Sequence, residues 1–220
     1  MDISIKSNLL KAIFQNIYFI NGTAYAGKST MVKQLAEKYD GICCGENYHD
    51  VFMDIVDIEN QPNLCYFQTM KDWQEFVGRT PDAYDNWITG SAKEAEDLEI
   101  IRLIQLAAQG KKIFVDTNIS IETLHAISDE RHVAIMLSPQ STSVERFFDR
   151  TDEDKQFILE QIRQADDPEK TMMNYRKCIE KINSPEKYQA FENAGFFVIV
   201  RDEKRTIDET LALLEKHFQL

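Results

Sequence analysis

Hydrophobic and polar positions follow two rhythms along the chain, and their succession predicts its elements. Five short apolar or β-favouring runs stand out: Ile17 to Asn21, Gly41 to Gly45, Lys112 to Asp116, His132 to Leu137 and Phe196 to Val200. Each is too short for a helix and reads as a strand, the second and third as buried ones. Stretches with helical spacing separate them. Ser29 to Lys38 follows the first run, Asp50 to Glu59 spaces Val51, Ile55 and Ile58 as a helix would, and Gln68 to Val77 carries Trp73 and Phe76. Ser91 to Gln109 sets Leu98, Ile101, Ile104 and Ala108 on one face, and Gly110 stands where a helix C-cap takes a left-handed residue. Asp167-Pro168 and Ser184-Pro185 each read as an N-cap with proline at the first helical position. Thr206 to Glu209 is a capping box, opening a last helix with Ile207, Leu211, Leu214 and Phe218 on one stripe.

Strands separated by helices predict an α/β fold: three layers, α/β/α, around a five-stranded parallel sheet. A length of 220 residues suits one domain, or one domain with an inserted subdomain, and a 43% hydrophobic content suffices for its core. Ligands of such sheets bind beyond the carboxyl ends of the strands, so the chemistry is sought there.

The first strand end carries it. Gly22-Thr23-Ala24-Tyr25-Ala26-Gly27-Lys28-Ser29 matches the phosphate-loop pattern G-x-x-x-x-G-K-[ST] in full, with a strand before it and a helix after it. Chance supplies the pattern in on the order of one chain in a hundred of this length, given glycine at about 7% of residues. The strand–turn–helix context lowers that further. Backbone N–H groups from Thr23 to Thr30 would wrap phosphates at the positive end of the helix. Lys28 would reach the β- and γ-phosphates and the Ser29 hydroxyl would ligate Mg²⁺. Asp116 closes the third strand with a carboxylate.

Charge and cysteine content narrow the class. The balance of 25 basic and 37 acidic residues, net −12, argues against nucleic acid as a main partner. No run approaches the ~18 apolar residues of a membrane span, and the N-terminus lacks a signal-peptide pattern, so a cytoplasmic protein is expected. Cys43, Cys44, Cys65 and Cys178 lack zinc-ligand spacing and read as buried or partly buried reduced thiols.

With the loop in place, the chain resembles the P-loop kinases of the nucleoside, nucleotide and small-molecule group. The run from Asn21 to Ser29 looks closest to the loop of chloramphenicol phosphotransferase-like proteins, which also lead with Asn-Gly and end Ala-Gly-Lys-Ser. Other loop-bearing classes lack support: the guanine-reading Asn/Thr-Lys-x-Asp and the transporter signature Leu-Ser-Gly-Gly are both missing. The resemblance implies a single kinase domain over 1–220, with acceptor-side helices at about 46–90 and a lid at about 146–168. Arg146 and Arg150, four apart on one helical face, would close from that lid over the phosphates, ahead of Arg163. The resemblance also implies that Asp116 holds a Mg²⁺-bound water and that adenine lies near the lid arginines and the turn Arg201-Asp202.

The second strand delivers the acceptor side. Kinases of this group that phosphorylate a hydroxyl place a carboxylate there, because an alcohol needs a proton acceptor within ~3 Å. Glu46 and Asp50 are the candidates, with His49 behind them. A monophosphate acceptor would instead need arginines, and only Arg79 and Arg102 lie between the second and third strands. Trp73, Phe76, Arg79 and Trp87 either line the acceptor pocket or pack the helices there. The expectation is an ATP- and Mg²⁺-dependent kinase acting on a small-molecule hydroxyl. A nucleoside monophosphate kinase and a non-catalytic ATP-binding switch are the alternatives, and the oligomeric state stays open.

Overall fold

A computed structural model describes residues 5–139, 142, 147, 153–202 and 204–220. They belong to two compact units: Met1–Asp54, Ala95–Ser138 and Gln189–Leu220 form one, Ile55–Glu94 and Pro139–Tyr188 the other.

The first unit is a three-layer α/β/α fold around five parallel strands: β1 (Ile17–Gly22), β2 (Ile42–Cys44), β3 (Ile113–Asp116), β4 (Val133–Leu137) and β5 (Phe197–Val200). Their order across the sheet is β2-β3-β1-β4-β5, with Ile20 in register with Asp116 and Gly22 with Met136. Alternation along the strands sends Tyr18, Ile20, Phe114, Ala134, Met136 and Ile199 to one face. There they meet Met31, Val32 and Leu35 of α2 (Lys28–Lys38) and Leu211, Leu214 and Phe218 of the C-terminal helix (Ile207–Phe218) in one buried cluster. On the other face, Phe14 at the end of α1 (Ser7–Ile13) packs against Phe19, with ring centroids 6.4 Å apart. Neighbouring residues at the start of β5 show the layering directly. Phe196 stacks on His125 of the helix Ile121–Ile127 at 4.1 Å, and Phe197 stacks on His217 of the C-terminal helix at 4.5 Å.

The second unit is helical among its described residues. Its elements include α3 (Tyr66–Thr69), α4 (Trp73–Val77), the start of α5 (Pro81–Ala107), and the helices Glu153–Arg163 and Pro168–Ile182. Phe76, Val77, Tyr84, Ile162, Tyr175, Cys178 and Ile179 are its buried core, with Trp73 and Trp87 packed against them. Two of the aromatics weighed for an acceptor pocket are therefore partners of a core, and Phe76 is part of it.

Several expected elements change. The stretch Asp50 to Glu59 keeps only a short 3₁₀ turn, Asp50–Phe52, and Val51, Ile55 and Ile58 are each more than half exposed. The Asp57 carboxylate accepts from the backbone N–H groups of Glu59 and Asn60, both at 2.9 Å, a local bond that competes with helix formation. Gln68 to Val77 splits into α3 and α4, because Met70 is extended and Asp72 caps α4 by accepting from Glu75 N. The helix expected from Ser91 begins at Pro81, and from Ser91 onward its buried positions are Ala95, Leu98, Glu99, Leu103 and Leu106, while Ile101 is exposed. Ile207 likewise leaves the buried stripe of its helix, whose capping box at Thr206 and Glu209 is formed. The short helices Ser7–Ile13 and Ile121–Ile127 are not foreshadowed by the apolar pattern. All four cysteines are free, and Cys43 is exposed rather than buried. Among the described residues no helix is long and apolar enough to cross a membrane.

Candidate functional site

The loop between β1 and α2 is held in shape by its carbonyls. Thr23 O accepts from Lys28 Nζ at 3.4 Å, Ala24 O from the Ser138 hydroxyl at 2.7 Å, and Tyr25 O from Arg201 Nη1. Ser138 N in turn donates to Thr23 Oγ1 at 2.8 Å. Asn21, one residue before the loop, accepts from Gly22 N at 2.6 Å and donates from Nδ2 to Ile119 O at 2.7 Å, tying the loop's root to the segment after β3. The backbone takes positive φ at Gly22 (128°), Tyr25 (66°) and Gly27 (93°). Gly22 is obligatory on space as well, since a Cβ there would lie 2.0 Å from Met136 O. Tyr25 has a side chain in that strained region, an outlier of the kind that clusters at ligand clamps.

Gly27 is the N-cap of α2, so Lys28 and Ser29 stand on its first turn, where the helix dipole favours anions. Both side chains converge on Asp116. The Ser29 hydroxyl donates to Asp116 Oδ2 at 2.6 Å, and Lys28 Nζ lies 3.6 Å from Asp116 Oδ1. Asp116 is 1% exposed and Lys28 8%. Burial raises the Asp116 carboxyl above the usual carboxylate range, Lys28 and Ser29 pull it back, and the charge of Glu46 adds to the rise. Glu46 is exposed and acts on Asp116 through space. The Asp116 Oδ1 atom is buried and accepts no hydrogen bond. A buried carboxylate oxygen without a hydrogen bond, beside a hydroxyl, is a hard-oxygen donor set that suits Mg²⁺, an ion that keeps waters and phosphate oxygens as its other ligands.

Beside Gly27 and Thr30 lies a cavity of about 320 Å³, with Met136 and Ile199 on its apolar side and Arg201 and Arg205 on its polar side. Arg205 is held by Asp202 Oδ2 at 3.2 Å and by Val200 O at 3.1 Å. The loop residues Gly22, Thr23, Ala24, Tyr25, Ala26 and Gly27 are thus placed together with Lys28, Ser29, Thr30 and Asp116 in one unit.

The remaining expected residues fare differently. Asp50 is exposed, 3.7 Å from His49 Nε2. Arg163 is on the surface, 3.6 Å from Glu160. Arg146 and Arg150 lie outside the described residues. In the second unit, the Arg79 guanidinium stacks 3.5 Å above the Tyr66 ring, and its Nη1 is buried without an acceptor.

Sequence reasoning missed a buried carboxylate. Glu99 of α5 is 2% exposed, and its Oε2 accepts from the Tyr48 and Thr117 hydroxyls, both at 2.8 Å. His49 Nδ1 lies 3.3 Å from the other oxygen. The only sequence trace of Glu99 is an acid beside Leu98 on a long helix, which reads as surface until the buried face is known. Among the described residues no three His, Cys, Asp or Glu side chains form a metal-holding group. Comparison with family models, with curated proteins and with solved structures finds no match.

Proposed function

We propose that the chain is an ATP- and Mg²⁺-dependent kinase transferring the γ-phosphoryl group to a hydroxyl of a small molecule. The observation that carries this is the convergence of Lys28 and Ser29, on the first turn of α2, upon the buried Asp116. Lys28 and the loop amides from Thr23 to Thr30 bind the triphosphate. Ser29 and Asp116 hold Mg²⁺, which supplies charge neutralisation of the phosphate oxygens. The base goes in the neighbouring cavity against Met136 and Ile199, with Arg201 and Arg205 at its edge. Glu46, the first acid past β2, is preferred over Asp50 as the group that takes the hydroxyl proton. Arg146 and Arg150 are assigned to the lid on resemblance alone.

The test is phosphoryl transfer from labelled Mg-ATP across two acceptor panels, nucleoside monophosphates against phosphate-free nucleosides, sugars and hydroxylated antibiotics. Label confined to the phosphate-free panel, lost in Lys28→Ala and reduced in Glu46→Gln, is the expected result. Undiminished ATP binding and transfer in folded Lys28→Ala defeats the nucleotide assignment. The unpaired Nη1 of Arg79 favours a second reading, a monophosphate acceptor. That reading requires label in the other panel and its loss in Arg79→Ala.

A further inference from the structure

Glu99 is a carboxylate buried at a place where an apolar side chain would have avoided the cost of desolvation. Its contacts say what it does. Thr117 Oγ1 accepts from Ile119 N at 3.0 Å, so its single proton is the one donated to Glu99. Burial and the charge of Glu99 push the Tyr48 phenol well above its usual range, which keeps its proton in place for the same carboxylate oxygen. One oxygen therefore joins the segment after β2, through Tyr48, to the residue that follows β3, through Thr117. Glu46 stands two residues before Tyr48, and Asp116 one before Thr117. On β3 the end is already fixed, because Asp116 is in register with Ile20 and Thr117 N donates to Ile20 O at 3.2 Å. The segment after β2 has no such ladder. Its residues Gly45, Glu46 and Asn47 are exposed, and β2 itself is three residues long.

We propose that Glu99 is a positioning residue, a clasp that fixes the Glu46 segment to the end of β3 so that Glu46 and Asp116 face one reaction site. The proposal rests on the kinase reading, for which Glu46 serves the acceptor and Asp116 the metal. Glutamine at this position keeps an oxygen able to accept from both hydroxyls, whereas alanine leaves both without a partner. The charge of Glu99 is thus dispensable and its acceptor oxygen is not.

The experiment compares Glu99→Ala, Glu99→Gln and Tyr48→Phe in the full chain by two readouts. One is amide hydrogen exchange, peptide by peptide. The other is steady-state hydrolysis of Mg-ATP, with water as the phosphoryl acceptor. In Glu99→Ala, exchange over residues 45–50 rises at least about tenfold while the loop 22–29 and the C-terminal helix keep their protection. The kcat falls at least about tenfold with the KM for Mg-ATP within about twofold. Glu99→Gln restores both readouts. Tyr48→Phe, which removes a single hydroxyl and leaves Thr117 in place, loosens residues 45–50 alone and serves should the alanine variant fail to fold. Wild-type exchange over 45–50 in both Glu99→Ala and Tyr48→Phe overturns the clasp. So does a rise in KM matching the fall in kcat, or a Glu99→Gln variant as impaired as alanine. Absence of Mg-ATP binding in the wild type overturns the kinase reading instead, and the exchange data then still decide the clasp.

Discussion

Lys28 and Asp116 form an ion pair from which water is largely excluded, and its energetics can be measured without knowing any ligand. At 3.6 Å the attraction is roughly 4–5 kcal/mol for an effective dielectric near 20. Desolvation of both groups takes back much of this. Removing one partner is a different matter, because the other charge stays buried, and such single deletions cost about 3–5 kcal/mol. Here the figure is lower, since Asp116 keeps the Ser29 hydroxyl at 2.6 Å. We predict that Lys28→Met destabilises the ligand-free protein by about 2–3 kcal/mol, and that Asp116→Asn also destabilises it by stranding the lysine. The double variant leaves no unpaired charge, so the loss should be far less than the sum. Urea denaturation of the four proteins at constant pH gives the coupling energy directly, provided the m-values agree. A coupling of about 2 kcal/mol is expected, and additivity within about 0.5 kcal/mol refutes the claim that the pair is energetically linked.

Other consequences are open to simpler checks. Gly22→Ala drives a Cβ to 2.0 Å from Met136 O at a φ of 128°, and since the obstacle is backbone no rotamer relieves it. A loss of at least about 3 kcal/mol follows, a fall in Tm of roughly 6–12 °C, and a Tm within a degree or two of wild type contradicts it. Glu215 accepts from Lys38 Nζ at 2.6 Å and Tyr39 OH at 2.9 Å, and these contacts, Lys38 first, hold its carboxyl below the usual range. The unfolded chain then binds more protons, so the stabilisation is present above the ordinary carboxylate pKa and is lost as pH falls through the depressed one. Glu215→Gln should cost about 1 kcal/mol near pH 7, and the gap in urea midpoints should close on acidification. A gap independent of pH defeats the assignment. A thiol reagent should find one reactive cysteine in the folded protein, Cys43, and four after denaturation. Burial raises Cys44 to about 12 and Cys178 to about 11, which adds to their inertness. Two or more fast thiols in the native state contradict this.

What the sequence revealed follows from where its signals are local. Parallel strands are short apolar runs whatever their neighbours, so all five were legible, with ends displaced by a residue or so. Only β1, β3 and β4 are buried throughout, the edge strands β2 and β5 being partly exposed. A turn between β1 and α2 was legible from its glycines, and Gly22 and Gly27 there take positive φ. The helical period misled wherever burial depends on what lies opposite. Val51, Ile55 and Ile58 are spaced as a helix, but Asp57 closes a local turn and the three apolar side chains are exposed. On α5, the stripe through Ile101 and Ile104 competes with one through Ala95, Leu98, Leu103 and Leu106, and only packing selects the second. That choice also hid Glu99, because an acid counts as surface until its face of the helix is known. Asp116 was found from its place at a strand end, whereas its partners Ser29 and Lys28 became a measurable cluster only with coordinates.

The Asp116 cluster carries a tension that the proposed function explains. Asp116 engages through Oδ1 and Oδ2 the two side chains, Lys28 and Ser29, that the kinase reading assigns to phosphate and metal. A site selected for stability alone would do better with apolar groups, since a buried ion pair seldom repays its desolvation. A site that must receive a polyanion together with a divalent cation needs these groups ionised, held close, and exchangeable for ligands of matching charge. On the kinase reading, Lys28 would exchange Asp116 for phosphate and Asp116 would exchange Lys28 for the metal's shell, so neither charge would be stranded if both arrived together. Either ligand alone leaves one of the two uncompensated. Thermal stabilisation by ATP and Mg²⁺ together should therefore exceed the sum of their separate effects. In the Lys28→Met/Asp116→Asn protein that synergy should vanish, and its survival there would place the ligand elsewhere on the molecule.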